Sequence, residues 1–95
     1  MISFADGRLH VSGHLTMDTV PALYAQGLQY LEKDELILDF AKVESADSSA
    51  VSMLLGWMRH ARQKQREVRV ANLPSSMVSL AGLYGVAELL PAQSV

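Results

Sequence analysis

An aspartate followed by two hydroxyl residues, Asp47-Ser48-Ser49, stands between a short apolar run at 36–40 and a segment at 51–61 with apolar residues at helical spacing. The pattern predicts that a strand and a short loop lead here into a helix. A helix start has backbone N–H groups without partners and the positive end of the dipole. An acidic residue and hydroxyls at that place suit an N-cap, a bound anion or a phosphate. Other reactive types are present but do not assemble. Ser49, His60 and Asp47 make a Ser–His–Asp set on paper, yet no Gly-x-Ser-x-Gly elbow or oxyanion loop accompanies them. His10 and His14 are four residues apart with Gly13 between them, in what reads as strand and loop. No third ligand follows at metal-site spacing, so no metal is expected. Asp39 and Asp47 read as a strand end and a helix cap rather than as a carboxylate pair. Five of the eight Lys/Arg residues fall between Arg59 and Arg69. They offer a surface for an acidic partner or a phosphate, or simply solvate a helix end. No aromatic platform lies among them, so nucleic acid is not an expected partner. No catalytic set and no cofactor are expected.

The elements that would position these residues follow from periodicity and breakers. Residues 2–5 and 9–12 read as strands joined by Asp6-Gly7, a hairpin signal, and Gly13 ends the second. Asp18 or Thr16 caps a first helix over about 19–33, with Val20, Leu23, Tyr24, Leu28 and Leu31 as its apolar stripe. Pro21 is tolerated in the first turn, and Gly27 weakens the helix. The run at 36–40 has little polar character, which predicts a central strand covered on both faces. A second helix extends from Ser48 to about Gln65, and residues 68–71 form another strand before Asn72-Leu73-Pro74 breaks the chain. Ser75 or Ser76 caps a third helix reaching Leu83 or Tyr84, with Gly85 at its end. One more turn is expected over 86–90, then a frayed tail at 92–95. Strands alternating with helices predict an α/β fold, a mixed β-sheet with an N-terminal hairpin and three to four helices packed on it.

On a wheel of 3.6 residues per turn, Val51, Leu54, Leu55, Met58 and Ala61 of the second helix share the side expected to meet the sheet. Ser49, Met53, Trp57 and His60 fall roughly opposite. An apolar face with the only tryptophan, turned away from the core, predicts contact with a partner. The alternative is that Trp57 folds over and covers an edge of the first helix.

Ninety-five residues predict a single domain over 1–95, and an apolar share of 49% with 6% aromatics predicts an aliphatic core. A net charge of −2 gives no general attraction to nucleic acid or an anionic membrane. With no cysteine, disulfides and thiolate metal sites are excluded. The first residues lack the basic start and long apolar run of a signal peptide, and no stretch approaches the ~20 apolar residues of a membrane span. The expectation is a cytoplasmic protein that reaches a membrane only through a partner.

The order of elements, with the segment Leu38-Asp39-Phe40-Ala41-Lys42-Val43-Glu44-Ser45-Ala46-Asp47-Ser48-Ser49-Ala50-Val51, resembles the STAS domain of anti-sigma factor antagonists and sulfate transporters. Ala50-Val51 departs from the Gly-Leu that ends the family's signature and adds a methyl group at the rim of the site. Two branches of the family are implied. In stand-alone anti-sigma antagonists the second serine, here Ser49, is phosphorylated by a partner kinase. In the small STAS (B) subunit of the Mla-type phospholipid ABC transporter, also described as a toluene-tolerance protein, Thr or Ser directly follows the Asp, matching Ser48. That branch tends to end in a segment like Leu80-Ala81-Gly82-Leu83-Tyr84-Gly85-Val86 followed by Leu89-Leu90-Pro91, and it is apolar at Met53 and Trp57. The resemblance thus favours a non-catalytic subunit docked on the transporter's cytoplasmic ATPase, peripheral to the inner membrane and serving outer-membrane lipid asymmetry. The partner-binding residues it implies are Asp47, Ser48, Ser49, Met53, Trp57, His60 and Tyr84, with Ser49 or Ser48 open to phosphorylation. The anti-sigma kinase is the alternative partner.

Overall fold

Asp6 and Gly7 both take left-handed backbone angles, φ 54° and 76°, and reverse the chain in two residues. The turn joins β1 (Ile2–Ala5) to β2 (Arg8–Leu15), antiparallel, with Ile2 opposite Val11 and Ala5 opposite Arg8. The computed structural model describes residues 1–33, 35–83 and 85. After β2 come α1 (Val20–Leu28), a 3-10 turn (Gln29–Glu32), β3 (Glu35–Ala46), α2 (Ser48–Gln63), β4 (Glu67–Ala71) and α3 (Ser75–Leu83). The sheet order is β1-β2-β3-β4, with β2, β3 and β4 mutually parallel. This is the mixed sheet with an opening hairpin that the sequence predicts. Two crossovers running the same way along the sheet carry α1 and α2 to the same core.

Leu9, Val11, Leu36, Leu38, Phe40 and Val70 alternate onto one face of the sheet and join the helices in that core. The expectation that residues 36–40 are covered on both faces is therefore corrected. Ile37 is only half-buried, and Asp39 faces away from the core with polar partners. The Asp39 carboxylate accepts from Arg8 Nη1 at 2.9 Å, the Ala41 amide at 2.9 Å and Asn72 Nδ2 at 3.1 Å. Burial pushes its pKa up. The Ala41 amide, Asn72 and Arg8 more than offset this and hold it below the usual carboxylate value. The residue thus ties β2, β3 and the end of β4 together.

Two boundaries differ from expectation in ways that move the site. Gly13, φ 88°, does not end β2. It sits beside a break in register, and the strand runs on to Leu15. β3 runs on with it, so Ser12 faces Lys42 and Leu15 faces Ala46. Asp39 therefore lies mid-strand, and the loop expected before Asp47 is strand. The first helix is shorter than expected because the chain tightens to a 3-10 turn after Leu28, and Thr19 occupies its N-cap in place of Asp18 or Thr16. The expected turn at 86–90 and the tail lie outside the described residues.

Candidate functional site

β3 ends directly at Asp47, whose extended backbone makes it the N-cap of α2. Its carboxylate does three things at once. Oδ1 accepts from the Ser49 amide at 2.8 Å, as an N-cap does. The same oxygen accepts a short hydrogen bond from Ser49 Oγ. Oδ2 accepts from the Met17 amide at 3.3 Å, in the loop between β2 and α1. The Asp47 amide in turn donates to Leu15 O at 3.0 Å. The Ser49 hydroxyl holds the Asp47 carboxyl below the usual carboxylate value. Burial opposes this, and the Ser49, Met17 and Ala50 amides reinforce it.

The Met17 loop is itself braced. Thr19 Oγ1 donates to His14 O at 2.7 Å and accepts from the Thr16 amide at 2.9 Å. His14 Nδ1 and Ser45 Oγ are 2.7 Å apart across the strand pair. The result is a corner where the ends of β2 and β3 and the start of α2 are fixed to one another. Ser48 is exposed there, and its hydroxyl has no partner among the described residues. Met17 is 76% exposed on the adjoining loop. The two serines are thus unequal: Ser49 is half-buried and bonded inward, and Ser48 faces solvent.

The other residues named from sequence disperse. Trp57 is 0% exposed and Met53 2%, so the wheel is corrected by roughly a sixth of a turn. The indole lies against Gly27 of α1, and its N–H donates to Tyr24 O at 3.0 Å. Half-buried Leu55 and Met58, expected in the core, border the outward side instead. The alternative, Trp57 folded onto the first helix, is the arrangement observed. His60 Nε2 is buried without a hydrogen bond, 3.7 Å from Glu32 Oε1 on the 3-10 turn. It lies eleven residues along α2 from Ser49, about 16 Å of helix, so Ser49, His60 and Asp47 do not form a reactive set. His10 lies 4.0 Å from Asp39 and His14 beside Ser45, so the two share no ligand position. Tyr84 lies outside the described residues. Sequence reasoning missed Met17 and Ser45, and it weighed His14 only as a metal ligand. Their only signal was their place at the ends of two strands whose lengths were read too short.

A tethered carboxylate of lowered pKa is a weak base towards the Ser49 hydroxyl that it holds. The profile of the family described as "Mlab, STAS domain" matches residues 2–91. No curated protein matches the chain. Among solved structures it is similar to a chain of the Acinetobacter MlaFEDB complex in its ATP-bound Vtrans1 conformation. That likeness has 25% identity and a TM-score of 0.78, over 95% of this chain and 97% of that one. It is also similar to the anti-sigma factor antagonist SpoIIAA in its unphosphorylated form, at 17% identity and a TM-score of 0.71, over 99% and 88% of the two chains. For the Bacillus cell fate determinant SpoIIAA in its phosphorylated form the values are 18% and 0.65, over 99% and 91%. At these identities the SpoIIAA likenesses speak to the fold alone. Among the described residues no helix is long and apolar enough to cross a membrane.

Proposed function

The chain belongs to the STAS domain family, and from that premise we propose that it is a non-catalytic binding subunit of a Mla-type phospholipid ABC transporter. In this reading residues 1–95 act as a single domain. It docks on the cytoplasmic ATPase subunit, supports its assembly or activity, and meets the inner membrane only through the complex. The observation that carries the reading is the inequality of the two serines. The Ser49 hydroxyl is committed to Asp47, while Ser48 is exposed beside Met17 on a helix start that three segments hold in place. A small free hydroxyl next to an exposed methionine suits close contact with a protein surface. Asp47 and Ser49 act in this reading by fixing the geometry of Ser48 and Met17, and Met53 and Trp57 support the helix from inside.

Co-purification with the ATPase subunit tests the proposal. Wild type and Ser48→Thr should recover it, and Ser48→Arg should lose it by steric obstruction while remaining folded. Stoichiometric phosphorylation of Ser49 by an anti-sigma kinase, with no ATPase recovered by the unmodified protein, would instead make the chain an anti-sigma factor antagonist.

A further inference from the structure

Leu55, Met58, Arg59 and Arg62 stand at i, i+3, i+4 and i+7, so they share one strip of α2. These four residues line a hollow of about 140 Å³. Met58 and Arg62 also line an adjoining hollow of about 350 Å³ that continues past Arg66 to Val68 at the start of β4. The floor of this trough is apolar: Leu55, Met58 and Val68 pack on the core and remain half at the surface. Its border is cationic. Arg59 and Arg62 are exposed, and their side chains make no ion pair or hydrogen bond with the other described residues. Glu67, the carboxylate on the rim, is engaged by Arg69 Nη2 at 2.9 Å. The helix dipole accounts for cations at this end of α2. It gives no reason for three apolar side chains to stand half-exposed among them.

We propose that this trough binds an acidic amphipathic helix of a partner protein. Its apolar side chains would enter the two hollows, and its carboxylates would meet Arg59 and Arg62. Two discrete hollows that share Met58 suit anchors spaced along a helix. A lipid surface is the poorer fit, because a chain of net charge −2 has no general attraction to anionic membranes. The site is separate from the Ser48 corner. Along α2 the nearest lining residue, Leu55, is about 10 Å from Ser48 and the cationic Arg62 about 21 Å, so charge removal at Arg59 and Arg62 is testable without touching the corner.

Fluorescence anisotropy with the full chain tests this. The probe is a labelled peptide of about 14 residues, with leucine at i, i+4 and i+7 and glutamate elsewhere. It should bind, and Arg59→Gln/Arg62→Gln should weaken binding about tenfold or more. Added salt should weaken it as well. Ser48→Arg should leave it unchanged. Arg62→Gln alone, at the residue that lines both hollows, should shift binding in the same direction and serves as a second variant should the double variant unfold. Equal binding by the double variant overturns the proposal. So does equal binding of a peptide with serine in place of leucine, which would reduce the effect to charge alone. Failure of the peptide to bind, with co-sedimentation of the protein on phosphatidylglycerol vesicles, would assign the surface to a membrane.

Discussion

Adding one methyl group at Gly27 tests how α1 and α2 meet. A Cβ built there would lie 2.3 Å from Trp57 Cζ2, 2.5 Å from Cε2 and 2.8 Å from Nε1. Carbon atoms in contact normally keep about 3.5–4.0 Å, so α1 must lift or the indole must move. The indole is fully buried and bonded to Tyr24 O, so moving it strains the core and endangers a hydrogen bond of about 1 kcal/mol. Overpacking of this kind costs roughly 1–3 kcal/mol. The conflict here exceeds an ordinary added methylene, which places it near the upper end. Replacing a helical glycine by alanine returns up to about 1 kcal/mol. Gly27→Ala should therefore destabilise the wild type by about 2 kcal/mol. In a Trp57→Leu background the obstruction is gone, and Gly27→Ala should be neutral or stabilising by up to about 1 kcal/mol. The change of sign amounts to a coupling of about 2–3 kcal/mol, within the range of residues in direct contact. Urea denaturation followed by far-UV circular dichroism measures the four corners of the cycle, since tryptophan fluorescence is lost with the only tryptophan. Additive effects, or a Gly27→Ala variant more stable than wild type, would refute the packing and return Trp57 to the surface.

The same rotation of α2 orders two neighbouring leucines. Leu54→Ala, fully buried, should cost about 2–5 kcal/mol, and half-buried Leu55→Ala about half as much or less, read from denaturation midpoints. The acid side of the stability curve should report Asp39 and Asp47. Each has a folded pKa lowered from 3.8, so each contributes stability at pH values above that figure. The contribution should fall away as pH drops through 3.8 toward the folded values. Asp39→Asn should be less stable than wild type at neutral pH and show a flatter decline across that acid window. Parallel curves for the two proteins would mean that Asp39 carries no such linkage.

Much of the fold was legible in the sequence because its signals are local. Asp6-Gly7 specified a two-residue hairpin, and Asp47 with the apolar spacing behind it marked the start of α2. What failed were judgements that depend on partners distant in sequence. β2 and β3 extend beyond their apolar centres because they pair with each other through Ser12–Leu15 and Lys42–Ala46, segments with weak strand preference. α2 was misoriented because its apolar residues span more than half its circumference, so periodicity alone did not fix which arc faces inward. The missing information lay in another helix. Gly27 leaves the space an indole fills, and Gly56 sits against the Tyr24 ring where a Cβ would come within 2.8 Å. Two glycines and two large aromatics at one crossing are a packing signal that no single-helix wheel contains.

The correction changes what the corner can be. With Trp57 facing out, α2 would present a broad apolar face, and the Asp47-Ser48-Ser49 turn would be one edge of it. With Trp57 buried, the α2 start is backed by a filled core and braced by Asp47 across to Met17. Association loses less free energy to ordering when the contact surface is already fixed. In the proposed docking Ser48 and Met17 would need no rearrangement, because Leu15, Asp47 and Thr19 already hold the segments that carry them. On such a surface a single bulky side chain at position 48 should be decisive, while the conservative change to threonine should pass.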